Sequence, residues 1–192
     1  MPTALVVRLV FWLWFGAAFF VGQNLLLLRL PAFGVPALVI GLTTLLLTAY
    51  FRLGLVRTWV DALDLRSLVL LHVTRFVGIY FLVLHRRGQL PYDFAVPGGI
   101  GDIIVAALAL TLALAPLADT TRQRAMRIWN IIGLVDIVLV VLTATRLNLA
   151  DPTQMHALTY LPLSLLPTFL VPLIIATHIV IFVRLARPQT SA

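Results

Sequence analysis

The sequence predicts an all-α polytopic membrane protein. A single domain over residues 1–192 folds as a bundle of six transmembrane helices, with both termini in the cytoplasm. Three observations predict it. The chain is 61% hydrophobic and 11% charged, where a soluble domain carries about 25% charged residues. Its apolar residues gather in six runs of roughly 18 or more, the length at which a helix crosses hydrocarbon. Apart from Arg75, its cations fall near the ends of the runs or between them, and unequally on the two sides.

The first run covers about residues 4–30. A signal peptide has an apolar core of about 7–15 residues and a small-residue cleavage site. This run is longer and has no such site, so it is expected to be a retained helix. It is aromatic, with Trp12 and Trp14 expected near the interface. Gln23 and Asn24 near its end are expected to line a polar site or to bond a neighbouring helix. Pro31, Gly34 and Pro36 then break the chain.

The second run, about residues 35–56, has no ionisable residue before Arg52 and is assigned to packing and lipid contact. Between Arg52 and Arg66 the chain is amphipathic. Arg57 and Asp61 stand four apart, so this is either a short interfacial helix or a solvated loop.

The third run, about residues 67–84, holds His72 and Arg75 on one helix face. The fourth, about residues 94–116, opens on the cluster PGGIGD. There Gly98, Gly99 and Gly101 form a glycine-lined opening. They allow close backbone approach or an irregular entry. Asp102 follows, near the amides expected of a helix N-terminus.

The fifth run, about residues 125–145, places Trp129, Gly133 and Asp136 on one face, with Asn130 beside them. Gly133-Leu-Val-Asp136-Ile echoes Gly99-Ile-Gly-Asp102-Ile, a match more readily due to chance than to an internal repeat. The sixth run, about residues 161–183, contains Pro162, Pro167 and Pro172, and kinks are expected there.

Six crossings put both termini on one face. That face holds Arg8, Arg52, Arg57, Arg66, Arg122, Arg124, Arg127, Arg184 and Arg187, against Arg29, Arg86, Arg87 and Arg146 on the other. The excess assigns the termini to the cytoplasm. There is no Lys, and the Arg residues sit at helix ends instead of forming one basic surface. The expected partner is the lipid bilayer, not nucleic acid. The chain has no Cys, which excludes disulfides, thiolate catalysis and Cys-ligated clusters.

A charge inside lipid costs about 2.5–3.5 kcal/mol on insertion scales, so intramembrane ionisable residues are the candidate site. Depth along the helices groups them in two ways: a histidine pair, His72 with His178, and an Arg–Asp cluster of Arg75 with Asp136, Asp102 or both, with Asn130 nearby. Three readings follow. A buried polar cluster binds a small anion or other small ligand or a lipid headgroup, relays protons, or only locks the helices. A cytochrome would hold haem b between His72 and His178. An intramembrane enzyme would use the Asp and His residues. The chain has no metal motif such as H-E-x-x-H, no serine elbow, and no Walker or dinucleotide pattern. An enzyme is the less favoured expectation, and no catalytic residue is assigned.

The stretch LHVTRFVGIYFLVLHRRGQLPYDFAVPGGIGDI resembles a group of bacterial multi-pass membrane proteins without an assigned function. The similarity covers most of the chain. It implies the bacterial inner membrane, and it implies no activity, catalytic residue or oligomeric state.

Overall fold

The computed structural model describes residues 2–187, with side chains from residue 4. The described chain is helical, and six helices are long and apolar enough to cross a membrane. The first is α1 (Pro2–Gln23), and α2 (Gly34–Arg52) and the short α3 (Gly54–Asp61) follow it. Then α4 (Leu65–Leu71), a 3-10 turn (His72–Val77) and α5 (Gly78–Arg86) form one long rod. The rest comprises α6 (Tyr92–Leu114), α7 (Asp119–Ala150) and α8 (Val171–Ala186).

Several ends differ from the sequence reading, each for a local reason. The first helix stops at Gln23 instead of running to residue 30. Leu25 takes a left-handed conformation (φ 53°), and a separate 3-10 turn, Leu26–Arg29, follows. Asn24 reaches neither a polar site nor a neighbouring helix. Its amide bonds the Phe20 carbonyl of its own helix at 2.9 Å. The stretch after Arg52 is helical as α3, with Arg57 Nε 3.7 Å from Asp61. Helix α7 is far longer than its apolar run and extends from Asp119 to Ala150.

The glycine cluster is not an irregular entry. Helix α6 begins at Tyr92, so Asp102 lies well inside it and not at its N-terminus. The glycines act through close approach. A Cβ on Gly99 would lie 2.8 Å from the carbonyl oxygen of Gly78, so α5 and α6 cross with their backbones in contact.

The last helix begins after Pro162, which lies in a turn, and Pro167 and Pro172 each stand at the second position of an element. Leu166–Leu170 forms a single wide π turn before α8. Pro172 has no N–H to offer the Thr168 carbonyl four residues earlier. Trp14 Nε1 donates to that carbonyl instead, at 3.0 Å. Trp14 is thus a cross-helix donor. Around it Phe11, Trp14 and Phe15 pack on Phe169, with ring centroids 4.6–5.3 Å apart.

Helix α6 is the centre of the bundle. It packs on α4, the 3-10 turn, α5 and α7, while α8 packs on α2, α4 and α7. Helices α2 and α7 both lean on α8 but scarcely meet each other. The core has three layers along the bundle axis. One apolar layer, near the termini, contains Tyr50, Val69, Val105, Met126 and Ile181. The other, at the far side, contains Phe81, Phe94, Met155, Leu163 and Leu166. Between them every central helix contributes a buried polar residue: His72, Arg75, Asp102, Asn130, Thr177 and His178.

Candidate functional site

The polar layer is built from one or two residues on each of four rods. Arg75 lies on the 3-10 turn in the middle of its rod and is 1% exposed. Its three nitrogens take three different partners. Nε donates to Asp102 Oδ1 at 2.6 Å. Nη1 donates to the Gly133 carbonyl at 2.9 Å. Nη2 donates to Asp136 Oδ2. One guanidinium therefore joins α6 and α7 to its own helix. The planar fork fits this role, because its donors diverge in fixed directions and it stays charged.

Glycines make the space. The Asp136 carboxylate lies where a side chain on Gly101 would be. On Gly133, a Cβ would fall 3.0 Å from His178 Nε2. The cluster PGGIGD thus supplies one carboxylate through Asp102 and room for the other through Gly101.

The histidines form the second half of the layer. The His72 and His178 rings are 4.2 Å apart between centroids, and Trp129 packs against both. Their hydrogen bonds set the tautomers. Thr177 Oγ1 donates to a main-chain carbonyl of its own helix, Leu173 or Ile174, and so accepts from His72 Nε2 at 3.2 Å. Asn130 Nδ2 donates to the His178 carbonyl at 3.0 Å, so Asn130 Oδ1 accepts from His178 Nδ1 at 2.7 Å. His72 Nδ1 and His178 Nε2 remain without partners.

The two groupings expected separately are one layer, and Gly133 joins them. Its carbonyl takes Arg75, and its missing side chain receives His178. Thr177 was not singled out from spacing. An intramembrane Thr beside a His was the available signal. His85 and His156 lie outside the layer, at the end of α5 and in the 3-10 turn Pro152–Thr159.

A haem does not fit between His72 and His178. Axial ligation puts the macrocycle between the two rings, and these rings already touch. The cytochrome reading is corrected on this ground. Both carboxylates that the enzyme reading would use are ion-paired with Arg75. Among the described residues no three His, Cys, Asp or Glu side chains cluster to hold a metal.

The polar layer has an opening. A cleft enters between α2 and α7, with about 890 Å³ of unfilled space including its mouth. Its walls are apolar, from Val39, Phe81, Val140, Ala144, Leu170 and Ile174. Its floor is Arg75 and Asp102. At the rim, Asn148 Nδ2 donates to the Ala32 carbonyl at 2.6 Å and ties the two flanking segments together. No residue of these walls carried a functional signal in the sequence, because an apolar wall reads like any lipid-facing side chain.

The model of one family, described as a domain of unknown function (DUF8737), matches residues 32–186. No curated protein and no solved structure matches the chain. The matched segment contains all of the polar layer and every wall of the cleft.

Proposed function

The chain belongs to the DUF8737 family, and from that premise we propose that it is an integral protein of the bacterial inner membrane that binds an amphipathic, lipid-like molecule. The apolar part of the ligand lies in the cleft between α2 and α7. Its polar head meets Arg75 and Asp102. Both termini face the cytoplasm, as the Arg excess on that side favours.

One observation carries this reading: an apolar cleft ends on a buried ion pair. Ligand sites are mostly apolar, with a few convergent polar groups that fix orientation. A pure helix lock has no need of access from outside. Here Arg75 and Asp102 line the cleft, while the fully buried His72 and His178 do not.

The floor also limits the head group. Two carboxylates face one guanidinium, so the layer is not short of negative charge. An anionic head would repel both. A hydroxyl or amine can donate to the second oxygen of Asp102, and a hydroxyl or carbonyl can accept the remaining N–H bonds of Arg75, without adding negative charge.

The test is extraction of the purified full chain, followed by mass spectrometry of the retained small molecules. Wild-type protein should retain one class of amphipathic molecule in near-equimolar amount. Ala144→Phe, which fills the cleft, should retain little of it while unfolding at a similar temperature. Equal retention by the folded variant would reject the cleft as the site.

A further inference from the structure

The other end of the bundle holds a second pocket, far from the cleft. Ile174 lines the cleft and Arg184 lines this pocket, and the ten residues between them on α8 span about 15 Å at the helical rise. Arg127, Arg184 and Arg187 line it together with Gln123. The unfilled space is about 620 Å³, open side included.

Arginine at such a face is ordinary and by itself says nothing about a ligand. The way these three are held is the informative part. Arg127 Nη2 donates to the Leu185 carbonyl at 2.7 Å. Arg184 Nη1 donates to the Leu63 carbonyl at 2.7 Å and to the Val60 carbonyl at 3.3 Å. A carbonyl fixes a guanidinium in place without neutralising it. Only Arg187 bonds a carboxylate, that of Asp61 at 2.7 Å, and Arg57 shares that same carboxylate. No Asp lines the pocket among the described residues.

Each side chain is pinned along one part of its fork, and the rest is unclaimed. Nε and Nη1 of Arg127, and Nε and Nη2 of Arg184, have no partner among the described residues. The geometry points to an anion site here, and specifically to one that takes a phosphate group. The free Nε and Nη2 of Arg184 share one edge of the guanidinium and match two oxygens of a phosphate, and the free nitrogens of Arg127 add single donors. Pre-fixed side chains lose less freedom on binding than free ones. The same chemistry is presented by the headgroup of an anionic phospholipid at the membrane surface and by a soluble phosphate compound.

The experiment uses the full chain in phosphatidylcholine nanodiscs, with its melting temperature as the readout. A ligand that binds only the folded state raises that temperature. In the first arm inorganic phosphate is titrated against chloride at equal ionic strength. In the second, phosphatidylglycerol replaces part of the lipid. A shift with phosphate points to a soluble source, and a shift only with phosphatidylglycerol points to the headgroup. In either case Arg127→Gln and Arg184→Gln should weaken the response about tenfold, the loss expected for one charge-assisted contact. Arg124→Gln, an exposed neighbour outside the pocket, should not. If Arg184→Gln fails to fold, Arg127→Gln decides, since that side chain is at the surface. The proposal is overturned if neither arm shifts the wild type, if Arg127→Gln responds like the wild type, or if Arg124→Gln loses as much.

Discussion

Arg75 donates to the carbonyl of Gly133, 2.9 Å away, on the one residue of α7 that also receives the His178 ring. This contact makes a single layer of two polar groups. It is also a bond to a main-chain atom, so it survives any change of the Gly133 side chain that leaves the helix in place. The carboxylates and the carbonyl therefore contribute separately to holding Arg75, and substitution can tell them apart.

The first prediction concerns the ion pairs. Arg75→Ala leaves Asp102 and Asp136 without their cation, and removing one partner of a buried pair costs about 3–5 kcal/mol. Asp102→Ala should cost about as much, since this carboxylate is more buried than Asp136, with side-chain exposures of 5% against 21%. The double variant Arg75→Ala/Asp102→Ala should lose much less than the sum. Denaturant unfolding of the four proteins measures the cycle, and strict additivity would reject the pairing.

The second prediction concerns space. Gly133→Ala puts a methyl group 3.0 Å from His178 Nε2, so the buried ring has to move. Gly101→Ala displaces the Asp136 carboxylate. Each should destabilise the fold by about 1–3 kcal/mol, the usual cost of overpacking. Gly41, in α2, has nothing within 4 Å of its would-be Cβ. Gly41→Ala should be neutral or stabilising by about 0.5–1 kcal/mol, from helix propensity alone. A Gly133→Ala protein as stable as Gly41→Ala would contradict the close approach.

Trp14 and Pro172 give a third, conditional prediction. Trp14→Phe keeps the ring but removes the donor to the Thr168 carbonyl. An unsatisfied group of this kind costs about 1–3 kcal/mol. In a Pro172→Ala background the helix has its own N–H for that carbonyl, and the same change should cost clearly less. Melting curves of the four proteins measure the difference. An equal loss in both backgrounds would mean that Trp14 acts only by packing.

A fourth prediction is a pH dependence outside the six long apolar helices. At Asp61 partial burial pushes the carboxyl up. Hydrogen bonds from Arg187 and Tyr50 and the nearby arginine charges outweigh this, so it titrates below the usual carboxylate value. The group is depressed in the folded state. Its contribution is therefore present above the unfolded pKa, about 3.9 for Asp, and is lost as the pH falls through the lower folded value. Asp61→Asn should remove the contribution at neutral pH and flatten the acid limb of stability against pH. An unchanged acid limb in that variant would show that Asp61 does not anchor Arg187.

The sequence by itself determined the class of the fold and the composition of its polar residues. Six apolar runs are legible because lipid leaves the backbone few alternatives to helix. His72, Arg75, Asp102, Asp136 and His178 stand out because each is costly in hydrocarbon and so must have a reason. Depth along a straight helix even ranked Asp136 as a partner for Arg75. The rest depended on rotation and lateral position, which a run of apolar residues does not encode. Which face of α6 meets α5 followed from the contact of Gly78 with Gly99. The contact between the His72 and His178 rings, too close for a haem, followed from how far α8 leans on its neighbours. The cleft exists because α2 and α7 both pack on α8 and not on each other. Val140 and Ala144 look the same in sequence whether they face lipid or a ligand, and only the packing of the neighbouring helices separates the two.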